Sequence, residues 1–285
     1  MRTKQQTLWL LAALFGPLAH FSGTGWLGAL LAAAVVLPLS FLPKTWSGLP
    51  KPLTLIQVLW LGTVTGWLLS NSAAYWPSDN ALAVPLTILA LAALTDSTAA
   101  PRLGAVLAVC IMLLSIPMAI SGAVLLEAEW LRPKRGEWPW ALPLVLLLPN
   151  LPALRGGNRR GILYTGILAV LLSGLVQGTI SHGVAIAVPD PFFQTARTLG
   201  YLEPIIAAAA TWSWYAMAVS LLESAKIIAS ESNMRAQWAS VLATGTAAVS
   251  ILWKVQLSAT FMSLFGAFLW VFIPFLTKNK KVEKR

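Results

Sequence analysis

Long apolar segments follow one another along the whole chain, separated by short gaps that hold most of the polar residues. A helix that crosses the hydrocarbon core of a bilayer needs about 20 mostly apolar residues, because that core is about 30 Å thick. Ten segments reach or approach this length, and the short gaps predict that neighbouring helices run antiparallel. The ten predicted spans are residues 7–22, 25–43, 52–72, 80–97, 102–126, 138–154, 161–188, 201–228, 235–254 and 256–277.

This pattern predicts an all-α fold, a polytopic transmembrane helical bundle that forms a single domain over residues 1–285. Lipid cannot satisfy free backbone groups, and the alternating pattern of membrane β-strands is absent. Apolar residues make up 57% of the chain, the mean hydropathy is +0.73, and only 11% of residues are charged. This composition leaves no room for a soluble domain of ordinary composition.

The basic residues collect in every second gap, and this predicts the orientation. With the N-terminus in the cytoplasm, fifteen basic residues lie on the inner side and five on the outer side. This is the positive-inside distribution, and it places both termini and the basic tail 278–285 in the cytoplasm. The net charge of +10 is therefore attributed to topology and to contact with membrane lipids. Nucleic acid is not an expected partner.

Residues that could carry enzyme chemistry are sparse. Cys110 is the single cysteine, so no intramolecular disulfide can form. His20 and His182 lie in different spans, and neither has a carboxylate or thiol at metal-ligand spacing. The ten acidic residues lie mostly at span ends or in gaps, and no catalytic or phosphate-binding motif is present. The sequence thus predicts no enzyme, no metal site and no cofactor.

Two of the predicted spans carry helix-breaking residues. Gly-Pro stands in the middle of span one, where proline removes an internal hydrogen bond and glycine lowers the cost of unwinding. Span six is rich in proline, and spans one and six would be the first helices of two inverted five-helix halves. Interrupted helices at corresponding positions indicate a solute site, although kinks that only shape the bundle remain an alternative. The candidate ligand-binding residues at the two breaks are Phe15, Gly16, Pro17, Pro143, Pro149 and Asn150.

The eighth span is the most polar of the long spans and adds further candidates. Trp212 and Tyr215 share one helix face with Glu223 and Lys226. We expect the two aromatic side chains to pack a ligand against the broken helices. Glu223 and Lys226 are three residues apart and are expected to form an ion pair near the cytoplasmic end. A functional role for this pair, or simple extension of both side chains to the inner headgroups, stays open.

Four stretches of the chain together suggest a family. They are Tyr75-Trp-Pro-Ser-Asp-Asn, Pro101-Arg-Leu-Gly-Ala-Val-Leu, Leu147-Leu-Pro-Asn-Leu-Pro before a basic gap, and the segment from Pro191 to Leu202-Glu203. With these motifs the chain resembles the B-subunit permeases of spore germinant receptors, in the amino acid/polyamine/organocation superfamily. The resemblance covers most of the chain. It departs from the family pattern at Val219, near the place of a family lysine, and at the short gap 43–51.

The resemblance implies the five-plus-five inverted-repeat (LeuT-like) fold with broken helices one and six. It also implies a small-molecule ligand such as an amino acid, companion receptor subunits, and residence in a bacterial cell membrane or spore inner membrane. The expected function is recognition of an amino-acid-like germinant by a membrane-embedded subunit of a spore germination receptor. Two alternatives remain, namely a secondary transporter of amino acids or organic cations and a non-binding membrane scaffold subunit.

Overall fold

The computed structural model describes residues 3–39, 49–76, 81–95, 100–132, 159–200, 202–255 and 259–273. Within these ranges every regular element is helical, and no β-strand occurs. The α-helices are α1 Thr3–His20, α2 Trp26–Leu39, α3 Lys51–Ser70, α4 Ala83–Leu94, α5 Ala100–Val124, α6 Arg159–Ala187, α7 Pro191–Thr198, α8 Glu203–Glu231, α9 Ala236–Leu252 and α10 Ala259–Ala267. Short 3₁₀ helices cover Ser22–Thr24 and Asn71–Tyr75, and a π-helix, Phe268–Phe272, continues α10.

Three helical segments are long and apolar enough to cross a membrane. They are Lys51–Tyr75, Arg160–Ala187 and Glu203–Glu231, and several shorter apolar helices accompany them. The prediction of an all-helical bundle is therefore confirmed over the described ranges, whereas the number of ten spans stays a prediction. Predicted span six, with Pro143, Pro149 and Asn150, lies outside the described residues.

Helix α8 runs through the centre of the bundle. It contacts α1, α3, α4, α5, α7 and α9. Its fully buried residues include Trp214, Met217 and Leu221. Most of the helix is buried, which is typical of an element that other helices surround on most sides. The side chains of α8 therefore meet most of the other helices of the fold.

The first helix does not unwind at Gly16-Pro17, and the prediction of a broken helix there is wrong. Helix α1 remains helical from Thr3 to His20 with Pro17 inside it. Pro17 lacks the N–H that would bond to the carbonyl four residues earlier, so α1 accommodates it with the loss of one internal hydrogen bond. Gly16 is used for close packing, since its N–H donates to Ser213 Oγ of α8 over 2.6 Å.

The chain instead leaves the α-helical path after His20. The 3₁₀ turn Ser22–Thr24 follows, and Gly25 then adopts a φ of +88° before α2 begins at Trp26. Left-handed backbone of this kind favours glycine, because glycine has no Cβ to clash with the adjacent carbonyl. The interruption thus lies between two helices and not in the middle of one.

Helices α3 and α9 approach each other along a seam of small residues. A Cβ added to Gly62 would lie 2.4 Å from the Ala243 carbonyl oxygen, and one added to Gly66 would lie 2.3 Å from the Ala247 carbonyl oxygen. Ala243 and Ala247 are fully buried. Helices in lipid associate through close packing of this kind, which small residues one turn apart permit.

The connections between helices meet at two ends of the bundle. At one end of the bundle, Thr54 at the start of α3 donates to Ser232 Oγ, just beyond the last residue of α8, over 2.8 Å. Gaps that an antiparallel arrangement puts on the same side therefore do lie together. The contacts at the other end join His20 to Asp190, Trp26 to Leu131 and Tyr75 to Phe193.

Candidate ligand-binding site

A cavity of about 620 Å³ lies among α1, α5, α6 and α7. Its size falls within the range of about 300–1,000 Å³ that is typical of small-molecule sites. Among the described residues that line it, none is charged, and Ser115 supplies the one hydroxyl group. The cavity therefore suits the apolar body of a small molecule. Its lining includes Phe15, Trp26, Ser115, Met118, Leu172 and Phe192.

Two phenylalanine rings meet at the wall of this cavity. Phe15 of α1 and Phe192 of α7 pack edge to face, with ring centroids 5.8 Å apart and an interplanar angle of 90°. Both side chains are buried. Phe15 also lines a second cavity of about 400 Å³ between α1, α5 and α6. The sequence-predicted candidate Phe15 is thus part of the cavity, together with Phe192, which was not predicted.

Helix α7 forms because its first residues satisfy the rules for a helix start. Asp190 is the N-cap, and its Oδ1 accepts a hydrogen bond from the Phe193 backbone N–H over 2.8 Å. Pro191 occupies the first helical position, where a missing N–H costs nothing. Phe192 and Phe193 are buried on the side that faces the bundle. This short helix therefore lies on the bundle as part of the cavity wall.

The second oxygen of Asp190 contacts a histidine. His20 Nδ1 lies 2.6 Å from Asp190 Oδ2, and both side chains are less than a tenth exposed. His20 lies in the last turn of α1 and Asp190 at the N-cap of α7. Helix dipoles favour a cation at the first place and an anion at the second. The sequence has no carboxylate at metal-ligand spacing from His20, and the fold brings Asp190 to it from 170 positions away.

Aromatic side chains surround the contact between His20 and Asp190. The Trp214 ring lies 6.1 Å from the His20 ring between centroids. The Tyr75 ring packs edge to face on Phe193 at 5.4 Å, and its hydroxyl interacts electrostatically with Asp190. The Trp214 indole N–H has no hydrogen-bond partner among the described residues. Asp190 is thus the centre of a small polar cluster inside an apolar surround.

One glutamine ties the loop after α5 to the rest of the cavity wall. Gln177 Oε1 accepts from the Trp26 backbone N–H over 3.2 Å, and Gln177 Nε2 donates to the Trp130 carbonyl over 2.9 Å. The Trp26 indole N–H donates to the Leu131 carbonyl over 2.8 Å. Trp26 and Leu131 both line the cavity. These bonds hold the loop over one end of it.

The structure does not bring Trp212 and Tyr215 to the first helix, contrary to the prediction. Trp212 is 47% exposed, and the Tyr215 hydroxyl hydrogen-bonds to Thr95 Oγ1 beyond the end of α4 over 2.5 Å. The face of α8 that contacts α1 carries Ser213, which accepts from Gly16. Adjacent helical residues differ by about 100° in direction, so these neighbours face different partners. Trp212 and Tyr215 therefore do not lie on the face of α8 that contacts α1, where the candidate residues Phe15, Gly16 and Pro17 lie.

Glu223 and Lys226 form the predicted ion pair on α8. Lys226 Nζ lies 2.7 Å from Glu223 Oε1, and the side chains are partly buried. Glu223 lies about 15 Å along the helix from Ser213, given a rise of about 1.5 Å per residue. Neither residue lines the cavity, and a functional role for the pair stays a prediction. Over the described ranges, no group of three or more His, Cys, Asp or Glu residues could hold a metal ion.

Comparison with known proteins adds no assignment to this site. No protein-family model matches the chain, and no curated protein matches it. What the site can do therefore follows from its own geometry.

Proposed function

We propose that this chain is a membrane-embedded subunit that recognises a small solute with an apolar body, such as an amino acid with an aliphatic or aromatic side chain. The observation that carries the proposal is the cavity of about 620 Å³ at which Phe15 and Phe192 meet. A ligand side chain that fills such a cavity gains about 25 cal/mol for each Å² of apolar surface removed from water. No chemical reaction is part of the proposal.

The membrane setting is supported by three helices of spanning length and by the mean hydropathy of +0.73. The ten-span topology, with both termini in the cytoplasm, belongs to the proposal and is supported by the excess of basic residues in every second gap. In this topology the contact between His20 and Asp190 lies at the outer end of the bundle. A solute would then reach the cavity from outside the cell or spore core.

The resemblance to germinant-receptor B subunits gives the proposal its specific form. In that form the solute is an amino-acid-like germinant, and binding in the cavity changes how the bundle contacts companion subunits in the spore inner membrane. Phe15 lies on the helix where the resemblance implies a ligand site. The cavity supports a ligand with an apolar side chain over a strongly charged one, because no charged residue of the described ranges lines it.

Thermal unfolding of the purified protein in lipid nanodiscs tests this proposal, with a panel of amino acids as added solutes. A ligand at 100 times its Kd stabilises the folded state by about 2.7 kcal/mol, so binding raises Tm. The variant Ala119→Phe adds a phenyl group at the rim of the cavity on α5, whereas Ala90→Phe adds the same side chain at an equally exposed position of α4 that does not line the cavity. We expect at least one solute to raise the Tm of the wild type and of Ala90→Phe but not of Ala119→Phe.

Three other outcomes would contradict the proposal. If no solute changes the Tm of the wild type, the chain is a scaffold and not a recognition subunit. If Ala119→Phe is stabilised as much as the wild type, the ligand binds elsewhere. If proteoliposomes that contain the protein accumulate a labelled solute, the chain is a secondary transporter of that solute.

A further inference from the structure

We infer that the buried contact between His20 and Asp190 positions the wall of the ligand cavity: it docks α7 on α1 and thereby holds Phe192 in place. The inference deepens the proposed function, on which its ligand measurement rests. The docking of α7 itself can be measured without any ligand. His20 and Asp190 are positioning residues in this scheme, because neither of them lines the cavity.

The first support is that Asp190 has two roles, one for each carboxylate oxygen. Oδ1 accepts from the Phe193 backbone N–H and so starts α7. Oδ2 contacts His20 Nδ1 at the end of α1. The residue that begins the short helix is therefore the same one that fastens it to the bundle. Phe192 follows Asp190 by two residues, so its position depends directly on this attachment.

The second support is that the other end of α7 has only a weak polar attachment. Arg197 Nε lies 3.1 Å from Glu203 Oε1, but these side chains are 51% and 40% exposed. Exposed ion pairs contribute about 0–1 kcal/mol. The Arg197 guanidinium also lies 5.0 Å from the centre of the Phe193 ring, which is a contact within α7 itself. The buried contact of Asp190 is therefore the stronger polar link between α7 and the helices around it.

The third support is the cost of separating the pair without moving α7. A buried charge that loses its partner is strongly unfavourable, because neither water nor another ion replaces the lost interaction. Without His20, the Phe193 N–H and the Tyr75 hydroxyl are the described groups that still face Asp190, and the carboxylate replaces the lost interaction in full by reaching water, which requires the start of α7 to leave the bundle. The contact and the docked position of α7 are thus expected to be lost together. Phe192 would then leave its place against Phe15.

Cysteine labelling measures the docking of α7 directly, in a background that carries Cys110→Ser. The reporter is Thr195→Cys, at a fully buried position, and the matched control is Thr198→Cys, at an exposed position of the same helix. Both threonine hydroxyls bond to carbonyls four residues earlier, so the two substitutions remove the same kind of contact. With His20 present, a water-soluble maleimide should label Thr195→Cys about tenfold more slowly than Thr198→Cys, because a buried site reacts only during local opening.

Two substitutions at His20 separate the hydrogen bond from simple packing. His20→Asn places an amide N–H near the position of Nδ1, whereas His20→Leu keeps a bulky side chain but has no donor. We expect His20→Leu to raise the labelling rate of Thr195→Cys at least about fivefold, and His20→Asn to restore most of the protection. The rate at Thr198→Cys should not change. If His20→Leu leaves Thr195→Cys protected, or if Asn and Leu behave alike, the inference is wrong.

The ligand measurement uses whichever amino acid stabilises the wild type in the thermal assay. Its Kd should rise about tenfold, or about 1.4 kcal/mol, in His20→Leu and stay near the wild-type value in His20→Asn. An unchanged Kd in a variant whose α7 is undocked would show that Phe192 does not matter to the site, and would overturn the inference. If no amino acid binds the wild type, the proposed function fails and the positioning role for a ligand falls with it. The labelling then still shows whether the His20–Asp190 contact docks α7.

Discussion

A single methyl group added at Gly66 should destabilise the bundle, because α3 and α9 are in backbone contact there. The new Cβ of Gly66→Ala would lie 2.3 Å from the Ala247 carbonyl oxygen and 2.6 Å from the Ser250 Cβ. Ordinary contacts of a Cβ begin at about 3.4 Å, so the helices would have to separate by about 1 Å. The obstacle is backbone, which cannot rotate away as a flexible side chain could.

The size of the effect follows from two opposing terms. Overpacking of a close-packed interior costs about 1–3 kcal/mol, and a backbone obstacle puts Gly66→Ala toward the upper end. Alanine is favoured over glycine in a helix by about 1 kcal/mol, which offsets part of this cost. At Gly245, an exposed position on α9, an added Cβ meets nothing within 4 Å, so only the favourable term remains. Gly66→Ala should therefore be less stable than Gly245→Ala by about 2–3 kcal/mol.

Thermal unfolding of the detergent-solubilised protein, followed by the loss of the monodisperse peak in size-exclusion chromatography, measures this difference. For a chain of this size, about 1 kcal/mol corresponds to about 2 °C in Tm. We expect Gly66→Ala to melt about 4–6 °C below Gly245→Ala, and Gly245→Ala to melt at or above the wild type. Equal Tm values for the two variants would refute the reasoning, because they would show that α3 and α9 have room for the added methyl group.

Three further predictions concern orientation, the ion pair of α8 and the cap of α7. A cysteine at Ala128 should react with an impermeant thiol reagent added outside, and one at Asn233 should not; the reverse result would invert the proposed topology. Glu223→Gln and Lys226→Met should each change stability by less than about 1 kcal/mol and act additively, and recovery in the double variant would instead show a coupled functional pair. Asp190→Asn keeps a capping oxygen, whereas Asp190→Ala loses it. The Ala variant should therefore lose about 1 kcal/mol more free energy of unfolding and melt about 2 °C lower than the Asn variant. Equal Tm values would contradict the capping role.

The helix positions could be predicted well from the sequence, because each apolar run has to be buried in lipid or in protein. The predicted span 161–188 corresponds to Arg159–Ala187, and the predicted span 235–254 to Ala236–Leu252. Composition controls where such helices begin and end, and little tertiary information is needed. Whether each shorter helix crosses the bilayer depends on its tilt and on its neighbours.

The face of each helix that meets its partner was harder to predict. Trp212 and Tyr215 were favoured because large aromatic side chains often contact ligands, but the small Ser213 is what allows α8 to approach Gly16. Close packing between membrane helices selects small residues, which a search for chemically active side chains passes over. The same bias led to the prediction that Gly16-Pro17 unwinds, although Gly16 serves the approach of α8.

The polar centre at Asp190 and the short helix α7 were both missed. Helix α7 is eight residues long and partly polar, so it does not form one of the long apolar segments that the sequence analysis used to predict helices. A local signal did exist, since Asp190-Pro191 combines a preferred N-cap residue with proline at the first helical position. The pairing of Asp190 with His20 had no such signal, because the two residues are 170 positions apart. Only the packing of α7 against α1 brings them together.

The bonds that hold the loop after α5 have a consequence for how this protein can vary between species. Gln177 binds the Trp26 N–H and the Trp130 carbonyl, and the Glu127 N–H donates to the Gly178 carbonyl over 2.9 Å. On the loop side, all of these bonds use main-chain atoms, which every amino acid except proline supplies in full. Homologues should therefore diverge freely in the exposed side chains of residues 127–129 while they retain Gln177, Trp26 and Gly178, whereas Leu131 should stay apolar because it lines the cavity. Selection would then act on the helices that receive the loop and on the cavity wall, and not on the exposed side chains of the loop.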